Sequence, residues 1–308
     1  MMRPFTRWDR EEEDTMALDE NDAGNHADRL AARLIQGMPL THHRLDVAGV
    51  STSLLEGGDG PPLVLVHGQG GFAEIMTPFF RMTADRYRVI APDLPGMGRS
   101  TIASGSVSGG RVIEWLTELI AKTCDQAPVV LGASMGGSIA LRLAAARGRE
   151  LSKVILVDSG SLGPFRPPPS LLFALIRLVR KPDRKAIARL QRQIFRDADR
   201  VRAAAGERLE ALEDYQIDRA RQPNVNAANR TLLREVGMKP VPDDQLRRID
   251  APVAMIWGRH DRVMPFRYAE RASAQFGWPL YPIDDAGHVP FVEQPAAFEA
   301  ALRETLGG

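Results

Sequence analysis

Short apolar runs alternate with stretches of helical periodicity along most of the chain. Continuous apolar runs bounded by turn residues are typical of strands buried on both faces of a sheet, whereas apolar positions that recur every three or four residues predict helices. HHRLDVAGV and STSLLEGG alternate around a glycine and predict a pair of strands. Six further strands are predicted at LVLVH (63–67), YRVIAPD (87–93), PVVLGA (128–133), KVILVDS (153–159), PVAMIWG (252–258) and PLYPID (279–284).

Helical patterns lie between these strands. Alternation of strand and helix predicts an α/β fold with a mostly parallel sheet, flanking helices and right-handed crossovers. The predicted helices are AEIMTPFFRMTADR, GRVIEWLTELIAKTC, MGGSIALRLAAARGR, FRYAERASAQF and PAAFEAALRETLG.

One long interval follows the sixth predicted strand and carries helical patterns without a convincing strand. A structureless loop of about 90 residues is uncommon in a compact domain, so we expect a helical cap at 161–250, inserted into a core of 41–160 and 251–308. Within the interval, LLFALIRLVRK is strongly apolar but too short to span a membrane. It suits a cap helix or an interfacial anchor, and we favour the cap helix.

Residues 1–40 form a predicted N-terminal extension. The chain is polar and acidic up to Asn25, which predicts a partly disordered, solvated tail. The pattern ADRLAARLIQGM then predicts a helix that docks either on the body or on a partner chain, which leaves homo-oligomerisation open.

Composition narrows the class of partner. Forty basic residues against 39 acidic ones leave a net charge of +1, so no whole-molecule field favours nucleic acid, and a small-molecule partner is the better expectation. The single cysteine, Cys124, excludes an internal disulfide. With no signal sequence or membrane-spanning run, the sequence predicts a cytoplasmic protein that is not integral to a membrane.

The stretch LGASMGGS carries the candidate nucleophile, Ser134. An apolar strand precedes it and a helical pattern follows it, which is the context of a strand–turn–helix nucleophile elbow. Gly132 and Gly136 would let the strand and the helix approach closely around a residue in an unfavourable backbone conformation.

This elbow resembles that of the α/β-hydrolase fold family, and the resemblance extends from about residue 42 to the C-terminus. It implies a serine hydrolase in which His288 is the base and Asp261 orients it, in the chain order Ser134, Asp261, His288. His288 lies in a glycine-marked loop after the last strand, and Asp261 follows PVAMIWG. Asp158, after the preceding strand, is a rival for the acid.

The resemblance also assigns the loop HGQGG (67–71) to an oxyanion hole, formed by the backbone N–H groups of Gln69 and Met135. His67 and Asp93 are expected to be structural. The chain lacks phosphate-cradle and dinucleotide motifs, and it has no His-Glu-x-x-His or Cys/His cluster. We therefore expect catalysis without a cofactor or a metal.

A serine at the elbow argues against the dehalogenases and epoxide hydrolases of the family, which attack with aspartate. The expected reaction is hydrolysis of a carboxylic ester through an acyl-enzyme. Carbon–carbon bond hydrolases of ring-fission products are the nearest alternative, although their histidine is commonly followed by tryptophan rather than by valine. A non-catalytic ligand-binding protein stays open. An apolar or aromatic ester substrate is expected to contact Phe72, Phe165, Met264 and Val289.

Overall fold

A computed structural model describes residues 26–102 and 107–307. The acidic stretch predicted as a solvated tail lies outside these ranges. Within them, nine strands form a single sheet. The strands are β1 (Thr41–Val47), β2 (Val50–Gly57), β3 (Pro62–Val66), β4 (Arg88–Pro92), β5 (Thr101–Ile102), β6 (Val129–Ala133), β7 (Lys153–Val157), β8 (Val253–Gly258) and β9 (Leu280–Ile283).

The sheet is mostly parallel, as predicted. Its order is β1-β2-β4-β3-β6-β7-β8-β9, with β5 paired to β2, and only the pairings of β2 are antiparallel within the described residues. Val66 lies opposite Gly132, and Ala133 lies opposite Val157. This register brings the carboxyl ends of β3, β6 and β7 to the same edge of the sheet.

The two-residue strand β5 was not predicted, because so short a run carries no periodic signal. With β5 counted, the strand that precedes the long helical interval is the seventh in chain order and not the sixth.

Helices cover both faces of the sheet. Short 3₁₀ helices at Ala73–Met76 and Gly148–Glu150 and a π-helix at Leu233–Gly237 complete the described elements. The α-helices are α1 (His26–Ile35), α2 (Thr77–Thr83), α3 (Gly109–Thr123), α4 (Met135–Arg147), α5 (Pro169–Arg180), α6 (Arg184–Ile194), α7 (Ala198–Ala220), α8 (Pro223–Leu232), α9 (Asp243–Leu246), α10 (Arg267–Phe276), α11 (Pro290–Glu293) and α12 (Pro295–Leu306).

Successive residues of each central strand feed two separate cores, because side chains alternate across a sheet. Val64 and Val66 of β3 pack with apolar residues of α3, α4 and α10. Leu63 and Leu65 pack with those of α2 and α12 on the opposite face. Burial on both faces explains why the strand LVLV is continuously apolar.

The helices from α5 to α9, with the π-helix, follow β7 and precede β8; we call this segment the helical insertion. Its helix α7 is interrupted at Gly206, which has a φ of 52°. Among the described residues, no helix is both long and apolar enough to cross a bilayer.

Helix α1 docks on the body of the same chain. Its buried residues Leu30 and Leu34 form a cluster with Phe72 and with Tyr215 of α7. Phe72 and Tyr215 stack edge to face, with ring centroids 4.3 Å apart. The N-terminal helix therefore joins the helical insertion to the loop that follows β3.

Candidate active site

Ser134 occupies the turn between β6 and α4 in a strained conformation, with φ 53° and ψ −117°. A positive φ is costly for a residue with a side chain, so the surroundings must hold it. The Ser134 N–H donates to the carbonyl of Val157 (2.9 Å), and the Ser134 carbonyl accepts from the N–H groups of Gly137 (3.1 Å) and Gly160 (3.0 Å). These bonds tie the turn to β7 and to the first turn of α4.

The glycines around Ser134 are required by close packing. A Cβ atom on Gly132 would lie 2.4 Å from the carbonyl oxygen of Gly136, and one on Gly136 would lie 2.0 Å from that of Val66. Backbone atoms cannot yield to contacts this short without moving the strand or the helix. The two glycines therefore allow α4 to begin directly against β3 and β6.

The structure brings together three of the predicted site residues. The Nε2 atom of His288 lies 2.9 Å from Ser134 Oγ, and its Nδ1 atom lies 2.8 Å from Asp261 Oδ2. The Asp261 side chain is fully buried, that of His288 is nearly so, and Ser134 is half-buried. The serine hydroxyl thus stays accessible while its two partners are shielded from water.

Two backbone N–H groups fix the Asp261 carboxylate. Oδ1 accepts from Val263 (2.7 Å) and Met264 (2.9 Å), which leaves Oδ2 to accept from the imidazole. Because a carboxylate can only accept, the hydrogen bond assigns the imidazole proton to Nδ1. The lone pair of Nε2 therefore points at the hydroxyl of Ser134.

The loop that carries His288 is held from two sides. Glu293 of α11 accepts from the N–H groups of Gly287 (2.9 Å) and Arg196 (2.6 Å), and the N–H of His288 donates to the carbonyl of Ile194 at the end of α6 (2.8 Å). The helical insertion thus contacts the histidine loop directly. Sequence reasoning missed Glu293, because the stretch FVEQP looks like an ordinary helix start.

Asp158, the rival acid, lies beside Asp261 and does not bond the histidine. Its Oδ1 accepts from the Gly258 N–H (3.0 Å), and its buried Oδ2 has no partner among the described residues. Burial, and then the negative charge of Asp261, raise the pKa of the Asp158 carboxyl well above its usual value. In its protonated form, the Asp158 carboxyl can donate a hydrogen bond toward the neighbouring Asp261 carboxylate.

The two carboxyls differ in the number of hydrogen bonds that they accept, and Asp158, whose pKa is raised, accepts fewer. Asp261 accepts two backbone N–H groups and the imidazole. Asp158 accepts one backbone N–H. No sequence pattern signalled this role, since it depends on β7 and β8 being neighbours in the sheet.

Of the two predicted oxyanion residues, Met135 directly follows Ser134, and Gln69 follows Gly68 in the loop after β3. Met135 is the first residue of α4, and the half-buried Gly68 packs against Ser134, since a Cβ on Gly68 would lie 3.1 Å from the Ser134 Cβ. Among the described residues, no acceptor pairs with the backbone N–H of Gln69 or Met135.

His67 and Asp93 support this loop from beneath. The buried His67 accepts from the Leu94 N–H at Nε2 (3.0 Å), which places its proton on Nδ1, where it donates to the Gly68 carbonyl (2.8 Å). Burial lowers the pKa of His67, which favours this neutral form. Asp93 accepts from the N–H groups of Ala73 (2.7 Å) and Arg99 (2.8 Å), so both residues hold loops in place.

The four residues predicted to contact substrate lie in different surroundings. Phe72 is fully buried against Tyr215 and belongs to the core, because the loop after β3 turns its ring toward α1 and α7. Met264 is nearly buried, whereas Phe165 and Val289 are half-buried. Phe165 and Val289 are thus the two whose side chains have surface open to a ligand.

Among the described residues, one group has the spacing of metal ligands: Asp158, Asp261 and His288, whose ligand atoms lie within 4.8 Å of one another. The nearest atoms of Asp261 and His288 are hydrogen-bonded to each other, and His288 Nε2 faces Ser134. Hydrogen bonding accounts for this cluster.

A family model described as the alpha/beta hydrolase family matches residues 63–301. The pimeloyl-[acyl-carrier protein] methyl ester esterase of Aeromonas salmonicida is 27% identical over 270 residues, which cover 84% of this chain and 100% of that protein. The 2-hydroxy-6-oxononadienedioate/2-hydroxy-6-oxononatrienedioate hydrolase of Cupriavidus pinatubonensis is 28% identical over 266 residues, 82% of this chain and 88% of that protein. Each similarity covers more than four fifths of this chain.

Among solved structures, the carboxylesterase CesB of Bacillus subtilis superposes with a TM-score of 0.78 over 92% of this chain and 97% of its own, at 17% identity. This likeness concerns the fold.

Replacing each aspartate with asparagine distinguishes the role of Asp158 from that of Asp261. We expect Asp158→Asn to retain hydrolytic activity within a few-fold, because the amide can still accept from Gly258 and donate to Asp261. Asp261→Asn should lower kcat by about 10⁴-fold, because it no longer stabilises the correct imidazole tautomer and charge. Steady-state kinetics of the two variants measure the difference, and equal losses would contradict the assignment of Asp261 as the histidine's partner.

The pH dependence of stability tests the proton on Asp158 in the same variant. The unfolded chain releases this proton near pH 3.9, whereas the folded chain keeps it to higher pH, so the carboxyl lowers the free energy of unfolding as the pH rises above about 4. Asp158→Asn removes this pH-dependent decrease in the free energy of unfolding. Denaturant titrations should therefore show that the variant becomes more stable relative to the wild type as the pH rises. Parallel curves for the two proteins would mean that Asp158 is ionised when folded.

Proposed function

The chain belongs to the alpha/beta hydrolase family, and we propose that it hydrolyses a carboxylic ester with a Ser134–His288–Asp261 triad through an acyl-enzyme. The observation that carries this proposal is the continuous hydrogen-bond chain from Ser134 Oγ through both nitrogens of His288 to Asp261. A serine hydroxyl is a weak nucleophile at neutral pH and needs such a base.

In the first step, Ser134 Oγ attacks the ester carbonyl while His288 Nε2 takes the hydroxyl proton. The imidazolium that forms is stabilised by the buried Asp261 carboxylate, whose geometry is already fixed by two backbone N–H groups. The tetrahedral intermediate places its negative oxygen near the N–H groups of Gln69 and Met135, which form the proposed oxyanion hole.

Collapse of the intermediate breaks the bond to the leaving alkoxide, which takes the proton from His288 Nε2 and departs as an alcohol. Water then attacks the acyl-enzyme, with His288 again as the base, and releases the carboxylic acid and free Ser134. The residues alone supply every proton transfer in this cycle.

We propose that the helical insertion is the cap, which the sequence predicts at 161–250. It contacts three parts of the proposed site: Asn229 of α8 accepts from the Gly70 N–H (2.8 Å), Gly237 lies against Met135, and Ile194 accepts from the His288 N–H (2.8 Å). These contacts bring the insertion beside Ser134 and His288, and we propose on this basis that the segment selects the substrate.

An apolar or aromatic ester is the proposed substrate class, with the half-buried Phe165 and Val289 as candidate contacts. The similarity to a methyl ester esterase supports ester cleavage. Similarity at 28% identity to a dienedioate hydrolase supports a second candidate, cleavage of a carbon–carbon bond by the same triad. Val289 after the histidine, where those enzymes commonly carry tryptophan, favours the ester.

A substrate panel tests the reaction and its class together. Aryl esters of graded acyl length and ring-fission dienoates are offered to the wild type and to Ser134→Ala. We expect turnover of short apolar esters, and a loss of about 10⁶-fold in kcat for Ser134→Ala if the triad acts as a unit.

Unchanged hydrolysis in Ser134→Ala would overturn the mechanism. Turnover of dienoates but of no ester would favour the carbon–carbon reaction. Absence of turnover across the panel in a folded protein would favour a non-catalytic ligand-binding role.

Substitutions at Asn229 test whether the hydrogen bond between the proposed cap and the Gly70 loop contributes to turnover. Asn229→Leu removes the acceptor for Gly70, and because one hydrogen bond contributes about 1 kcal/mol, we expect kcat to fall by up to about tenfold with little change in KM. Asn229→Asp keeps an acceptor and should restore kcat. Asn224→Leu, an exposed position on the same helix, is the matched control; an equal loss there would mean that the contact with Gly70 is irrelevant.

A further inference from the structure

Exposed large apolar side chains concentrate on one helix of the insertion. Leu172, Phe173, Ile176 and Val179 of α5 are between 45% and 54% exposed. In the part of the chain that the structure describes, the only other large apolar side chain in the exposed class is Met238. We call the four residues the α5 face.

The α5 face is continuous. At 3.6 residues per turn, the four positions fall within an arc of about 120° on one side of the helix. The opposite side carries the buried Leu171 and Ala174. Helix α5 is therefore packed on the protein along one side and apolar toward the outside along the other, a pattern that marks interaction surfaces.

The segment around the α5 face is strongly basic. Residues 166–196 contain nine lysines and arginines and one acidic residue, a net charge of +8 in a chain whose total is +1. Ion pairs within the described ranges engage Arg177, with Asp183, and Arg184, with carboxylates of α7. The other exposed cations here have no carboxylate within reach among the described residues: Arg166, Arg180, Lys181, Lys185, Arg189, Arg192 and Arg196.

Cations border the apolar arc itself. The guanidinium of Arg189 on α6 lies over the Phe173 ring, 5.1 Å from its centroid. By helical spacing, Arg180 falls between Ile176 and Phe173 on the same arc. Long basic side chains can keep their charged ends in water while their stems cover apolar surface.

We propose that the α5 face docks on the surface of an anionic lipid bilayer. Apolar side chains in the plane of the interface and lysines and arginines around them are the features of interfacial helices on acidic membranes. Helix α5 is about 18 Å long and cannot span a bilayer, so it lies along the surface.

A second copy of the chain fits this face less well. A symmetric dimer joins the same patch of both subunits, so the basic segment of one would meet that of the other. Charges of equal sign at close range oppose such an interface, whereas anionic lipid headgroups neutralise them.

Docking would place the membrane one helix away from the proposed site. Helix α6 lies within the basic segment and ends at Ile194, whose carbonyl accepts from the N–H of His288. The inference about lipid binding nevertheless stands apart from the proposed reaction, because it uses none of the residues Ser134, His288 or Asp261.

Vesicle co-sedimentation of the full chain tests the proposal. Vesicles of phosphatidylcholine alone are compared with vesicles that also contain phosphatidylglycerol, at low and high salt. We expect binding to the anionic vesicles, weakened by salt, and equal binding by Ser134→Ala. The double variant Phe173→Gln/Ile176→Gln should lower the partition coefficient at least about tenfold, because it removes two apolar side chains from the interface.

Two further variants separate the contributions. Lys181→Gln/Lys185→Gln should weaken binding to the anionic vesicles, whereas Met238→Gln, an exposed apolar position outside the α5 face, should leave it unchanged. Hydrolysis of a dissolved short ester and the thermal midpoint report that each variant is folded.

Absence of binding to anionic vesicles would overturn the proposal, as would undiminished binding by Phe173→Gln/Ile176→Gln. Dimers in sedimentation equilibrium that this variant dissociates, without vesicle binding by the wild type, would assign the face to a second copy instead.

Discussion

The site depends on one constraint, the strained turn at Ser134 between β6 and α4. Its positive φ persists because α4 begins in contact with the backbone of β3 and β6, where a Cβ at Gly132 or Gly136 would collide with carbonyl oxygens. The parallel register then puts the loops after β7, β8 and β9 beside this turn. Packing of glycine against backbone is thus what places the hydroxyl of Ser134 at the Nε2 atom of His288.

The polar residues of the site form a chain of contacts in which each residue orients its neighbour. Ser134 faces His288, His288 is oriented by Asp261, and Asp261 is held by two backbone N–H groups and lies beside Asp158, whose pKa is raised by burial. The helical insertion contacts two loops of the site through hydrogen bonds. The Asn229 side chain accepts from the Gly70 N–H, and the Ile194 carbonyl accepts from the His288 N–H. Such preorganisation lets a buried charge act on the imidazole without reorganising during reaction.

Much of the fold was predictable because buried parallel strands carry an unmistakable apolar signature, and the alternation of strand and helix dictates a parallel sheet. Ser134 was identifiable from its strand–turn–helix context, whereas His288 and Asp261 were assigned through the resemblance to the α/β-hydrolase fold family, which places the base and the acid in loops after predicted strands. The sequence did not predict the structural roles of three residues, because each role depends on contacts between segments that are distant in sequence: Asp158, Glu293 and Asn229. Phe72 was misplaced for the same reason, because its burial depends on α1 and α7. The two-residue β5 was too short for any periodic signal.

The central claim, that Ser134 is a nucleophile activated by His288, is tested most directly by peptide mass spectrometry after reaction with a serine-reactive organophosphorus probe. The account predicts a single adduct on Ser134 in the wild type and much slower labelling in His288→Gln, which lacks the base. Labelling of Ser134 at the same rate in both proteins, or no adduct at Ser134 in the folded wild type, would contradict it.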